Sequence, residues 1–120
     1  FKMGRGHSMH SLGTDIMIGG IKQNPVFKQG SFGMNLDDFI EQTQFFPNYV
    51  KIDVDGNELD VIHGFPKLLK SKSIKSIMIE IDPHDNESKN KIFSHMLENF
   101  FFIDAKISTK SNYFFKKKLI

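Results

Sequence analysis

The chain of 120 residues contains no cysteine and no tryptophan. Without thiols there is no disulfide framework, no thiolate metal site and no cysteine nucleophile, a composition that suits a reducing compartment. Neither sign of charge dominates: 16 Lys and Arg stand against 14 Asp and Glu, a formal net charge of +2. That excess is too small to draw nucleic acid, and the basic residues are dispersed apart from Lys116-Lys117-Lys118, read as a solvated edge. No run approaches the roughly 20 apolar residues that a membrane span requires. No basic-then-apolar leader opens the sequence. The expectation is a cytoplasmic protein that partners neither membrane nor nucleic acid.

What is present describes an ordinary soluble domain, 39% hydrophobic and 25% charged. Its length fits one domain, residues 1–120, with 1–34 a loop-rich lead-in and 35–120 an α/β core. Thirteen Phe suggest a core rich in that residue. A first residue of Phe rather than Met is read as a chain that continues upstream.

The lead-in is punctuated by Gly4, Gly6, Gly13, Gly19, Gly20, Gly30 and Gly33, spacing that leaves room only for loops and short strands. Gly4-Arg5-Gly6 lacks the buried strand and periodic helix of a dinucleotide fingerprint, so it is read as a turn. His7 and His10 lack a third ligand at a supporting spacing, so the loop around them is read as an ordinary polar one. Asn35-Leu36-Asp37-Asp38 has the pattern of a capped helix start, with Leu36, Phe39 and Ile40 as its apolar stripe to about Gln44. Residues 49–54, Tyr-Val-Lys-Ile-Asp-Val, read as a central strand buried on both faces. Leu59, Ile62, Phe65 and Leu69 then repeat at helical spacing, broken near Gly64, with a second short helix from Pro66 to Lys70. Ile74–Asp82 is the next strand and completes a βαβ unit. A helix over 86–99 buries Ile92, Phe93, Met96, Leu97 and Phe100. Phe101–Ile107 and a strand from Tyr113, after the Ser111-Asn112 turn, close the chain on a hairpin.

Chemistry in an open α/β sheet is done beyond the carboxyl ends of its strands. Asp53, Asp55 and Glu58 follow the first strong strand, and Glu80 ends the second. Their alternative roles are structural: Asp55 in the turn before Gly56, Glu58 in a first helical turn, Lys51 in an ion pair. A carboxylate inside an apolar strand, as Glu80 is, is costly unless it lies at a cleft or is hydrogen-bonded. His84 lies just past the second strand, where either a base or a surface histidine fits. His63 and His95 fall on helices and read as structural or exposed. Three carboxylates within six residues also suit a hard divalent cation such as Mg²⁺.

A strand reading Val-Lys-Ile-Asp-Val-Asp-Gly-Asn-Glu-Leu, a short helix reaching Gly64 and a strand ending Ile-Glu-Ile, preceded by Leu36-Asp37-Asp38-Phe39, resembles the FkbM family of S-adenosylmethionine-dependent methyltransferases over about residues 35–82. The resemblance implies a Rossmann-like class I methyltransferase fold, three layers around a sheet that ends in an antiparallel hairpin. It implies methyl transfer to a hydroxyl of a sugar or other small-molecule acceptor. Asp53 matches that family's strand-end acid; read with the residues around it, Asp53 and Glu80 are expected to be catalytic, Asp53 and Asp55 to contact the cofactor, and Glu58 and His84 to contact the acceptor, with no resident metal assigned. The family's glycine-rich cofactor loop and second-strand acid have no counterpart here, so the chain reads as the C-terminal half of that domain. An exposed sheet edge on residues 49–54, open to self-association, is then expected. Two alternatives remain. Asp53-Val54-Asp55-Gly56 resembles the motif of Mg²⁺-dependent haloacid dehalogenase-type phosphatases, although Asn57 replaces the usual Thr. The other is a non-catalytic α/β fragment acting as a scaffold.

Overall fold

The computed structural model of the chain describes residues 16–18, 21–23, 30 and 32–118. The turn at Gly4-Arg5-Gly6 and the pair His7 and His10 lie outside the described residues. Two short strands, β1 (Ile16–Ile18) and β2 (Ile21–Gln23), form an antiparallel ladder in the first of two compact units, 1–32. The second unit, 33–120, carries everything below.

Helix α1 (Leu36–Thr43) begins where its capping pattern dictates. Asn35 Oδ1 accepts the Asp38 N–H at 2.8 Å, and Asn35 Nδ2 donates back to the Asp38 carboxylate at 2.7 Å. Such reciprocal bonding satisfies a helix-start donor that would otherwise lack a partner. Strand β3 (Tyr49–Ile52) leads through α2 (Glu58–His63) and α3 (Pro66–Lys70) to β4 (Ser76–Glu80), which pairs with β3 in parallel from Tyr49 opposite Ser76 to Ile52 opposite Ile79. Gly64 caps α2 at the break, where a Cβ would sit 3.1 Å from the Asn35 side chain and 3.2 Å from the Val61 carbonyl, so that glycine fits most easily. Pro66 then opens α3 at a position where its missing N–H costs nothing.

After α4 (Asn86–Glu98), β5 (Phe101–Ile103) and β6 (Asn112–Lys117) form the closing antiparallel hairpin. The sheet order is β3-β4-β6-β5, so the last strand lies between β4 and β5. The core gathers Ile52, Ile77, Ile79, Phe101 and Phe115 from the sheet against Ile62, Phe65, Leu68, Leu69, Ile92 and Met96 from the helices. Each such aliphatic burial stabilises by about 1.5–3 kcal/mol.

Several expectations are corrected. The first strand ends at Ile52 and is not buried on both faces, Tyr49 being 70% exposed; its place at the edge among the described residues, with β4 its one partner there, is the exposed edge expected on 49–54. Strand β4 is shorter than Ile74–Asp82, although Ile74 and Ile81 at its flanks stay buried. Strand β5 stops at Ile103, because Asp104 turns the chain: its carboxylate accepts the Lys106 N–H at 3.1 Å and its carbonyl accepts the Ser108 hydroxyl at 2.8 Å. Leu97 and Phe100 face solvent, 57% and 51% exposed. The core is mainly isoleucine, while Phe39, Phe45, Phe46, Phe100 and Phe102 are exposed. Of the three layers expected, the described residues build two. Alternate strand residues point to opposite faces, and only the face of Ile52, Ile77, Ile79 and Phe115 is buried under helices, whereas Met78 and Phe114 opposite are half-buried.

Candidate functional site

Beyond the carboxyl ends of β3 and β4 lies a cleft of about 340 Å³, lined by Asp53, Asp55, Gly56, Glu58, Glu80, Asp82 and Asp85 among others. The parallel pairing of β3 and β4 brings it together, because both strands run out at the same end of the sheet and each is followed by acids. Asp53 is the first residue past β3. Its Oδ2 receives the Lys51 ammonium at 2.8 Å, both side chains remaining solvated. The hydrogen bond that Lys51 donates to Asp53, the charge of Asp53, and more weakly that of Glu80 hold the Lys51 pKa above its ordinary value.

The turn into α2 uses two left-handed residues, Asp55 at φ 50° and Gly56 at φ 103°. Glycine adopts such a backbone freely, and aspartate tolerates it better than most residues. The Gly56 N–H donates to Glu58 Oε1 at 2.8 Å, and Glu58 is only 6% exposed. Glu58 therefore ties the loop to the first turn of α2. Glu80 ends β4, half-buried, across the ladder from Asn112.

Sequence reasoning passed over Asp82 and Asp85 as lining residues. Asp82 Oδ1 accepts the His84 N–H at 2.8 Å and so closes the turn. Asp85 Oδ1 accepts the Ser88 N–H at 2.9 Å and caps α4. Bonds from Ser88 keep the Asp85 carboxyl below its ordinary pKa. The signal for both was the run of polar residues, Asp82-Pro83-His84-Asp85, directly after an apolar strand. His84 itself is exposed on that turn and is not among the residues that line the cleft.

Asp53, Asp55 and Glu58 share the cleft without converging on one point. Among the described residues no group of three His, Asp or Glu side chains has the arrangement to hold a metal ion. Their spacing in sequence, which would suit a cation such as Mg²⁺, is not matched by such an arrangement there. The cleft is thus a strongly anionic hollow whose nearest cation, Lys51, is engaged by Asp53. A field of that kind favours a cationic ligand or a hydroxyl-rich one, whose donors find carboxylate acceptors.

A second buried acid, missed as such, organises the neighbouring helices. Asp37, 8% exposed, accepts the N–H groups of Lys67 at 2.7 Å and Leu68 at 3.0 Å. It caps α3 from α1, across an interval of 30 residues.

Residues 33–113 match the family model described as Methyltransferase FkbM domain. No curated protein and no solved structure matches the chain.

Proposed function

The chain belongs to the FkbM methyltransferase family, and on that premise we propose that it serves methyl transfer from S-adenosylmethionine to a hydroxyl of a sugar or another small metabolite. The observation that supports this reading is the acidic cleft at the ends of β3 and β4, inside the matched residues. S-adenosylmethionine, when bound, supplies an electrophilic methyl group on a sulfonium. The donor set fits the cationic part of that molecule: carboxylates on every side and no free ammonium. Asp53 and Asp55 are the residues we assign to holding it.

Asp53 and Glu80 flank the mouth from adjacent strands, and either carboxylate accepts a hydrogen bond from an acceptor hydroxyl and takes its proton as the oxygen reacts. Holding that hydroxyl in line is the larger share of the work, since orientation removes much of the entropic barrier. Glu58 acts by keeping the 55–58 turn in place, and His84 meets only an acceptor that projects beyond the cleft.

The test uses the full-length protein that carries these residues. Transfer of a labelled methyl group from S-adenosylmethionine to a panel of sugar hydroxyls should fall about 10²-fold or more in Asp53→Asn, with the melting temperature unchanged. Undiminished transfer in that variant overturns the assignment. Absence of transfer to any hydroxyl, with S-adenosylhomocysteine bound, overturns the acceptor class.

A further inference from the structure

The opposite end of the sheet carries a hollow of about 480 Å³ between the ends of α3, α4 and β6. Lys70, Lys72, Lys117 and Lys118 line it, with Leu69, Ile74 and Phe100 as apolar wall and Glu98 as the one carboxylate among its lining residues. Two separated segments, 70–72 and 117–118, deliver those lysines, the Lys118 ammonium standing 5.7 Å from the centre of the Phe102 ring, outside the lining; among the described residues none of the four makes an ion pair, whereas Lys51, Lys67, Lys91 and Lys116 each do.

Two features of the hollow are costly without a ligand. Lys117 lies on the helix-covered face, its ammonium donating to the Leu69 carbonyl and standing 4.9 Å from the centre of the Phe101 ring. Burial depresses its pKa, and no anion compensates. Phe100 follows the cap of α4 at φ 65°, a left-handed position where glycine is the usual residue and a bulky side chain is strained. Its ring does not repay the strain in the core, because it is half exposed on the wall of the hollow.

We propose that this hollow binds a soluble organic phosphate monoester, the phosphoryl group among Lys70, Lys72 and Lys117 and an apolar or aromatic portion against Phe100. Three lysines against one carboxylate among the lining residues answer a dianion better than a singly charged carboxylate. The exposed ring gives the organic part a face to stack on. The site is distinct from the acidic cleft in position and in sign.

Phenyl phosphate is the probe, titrated into the ¹⁵N-labelled chain with inorganic phosphate and phenol as controls. Saturable shifts at Lys72, Phe100 and Lys118, unaltered by saturating S-adenosylhomocysteine, are expected, with inorganic phosphate weaker and phenol without effect. Lys70→Glu with Lys72→Glu should weaken phenyl phosphate about tenfold or more. Phe100→Gly should weaken it several-fold while leaving the melting temperature unchanged or higher, the opposite of what a packing role gives. Absence of saturable shifts, equal affinity for phenyl and inorganic phosphate, or unchanged binding in the lysine variant overturns the proposal. So does binding of the chain to phosphatidylserine vesicles without response to phenyl phosphate.

Discussion

Strands β3 and β4 look alike as sequence: each is a short, mostly apolar run with one charged residue, and an acid stands at its end or just past it, Asp53 for β3 and Glu80 for β4. The structure treats them differently. On the helix-covered face Ile77 and Ile79 of β4 are wholly buried where Val50 of β3 is half-buried, and on the open face Met78 of β4 is half-buried where Tyr49 and Lys51 of β3 face water. The difference comes from the number of hydrogen-bonded neighbours, two for β4 and one for β3 among the described residues. Composition sets the tendency to be a strand; position in the sheet sets how much each residue contributes.

Substitution can break that contrast. Ile79→Ala should cost about 2–5 kcal/mol of stability, since the cavity it leaves is enclosed, whereas Val50→Ala, half-buried in β3, should cost about 1 kcal/mol. Chemical denaturation of both variants is the measurement, and equal losses would mean that β3 is covered in solution. Asp37→Ala should come next, at about 1–3 kcal/mol, because two N–H groups of α3 lose their acceptor. Asp37→Asn should recover part of that loss. A smaller effect is expected with pH. Burial, then His63, hold the His95 pKa below its ordinary 6.5, so the unfolded chain binds the proton more tightly. Stability should be full above 6.5 and fall as pH drops below it towards the folded-state pKa. His95→Gln should flatten the profile between pH 7 and 5. Asp53→Asn should give the least change in stability, no resolvable shift of the midpoint, because its ion pair with Lys51 is solvated.

The order of elements from α1 to β6 was legible because local signals marked nearly every boundary: Asn35 as cap, Gly64 and Pro66 as the break, Asp85 as the second cap. The residues facing the cleft were legible in part. Asp53 and Glu80 follow from the rule that ligands meet strand ends, and Asp82 and Asp85 follow from the same rule applied one turn further. Asp37 was beyond reach, since a carboxylate in a first helical turn reads as a dipole partner to its own helix. Its actual partners lie on α3, and only tertiary packing brings them near. The exposure of Leu97 and Phe100 was hidden for a similar reason: both keep the helical spacing of the buried face, but the sheet narrows to short β5 where α4 ends.

The placement of β6 between β4 and β5 carries a consequence for biosynthesis. When Phe101–Ile103 leaves the ribosome, the strand that will flank it has not yet been translated, and β4 also waits with one side open. The nascent chain must hold two greasy ladders unpaired until Asn112–Lys117 arrives to insert between them. A stall or premature stop shortly before Asn112 would therefore release a product with its sheet unjoined, a natural client for chaperones.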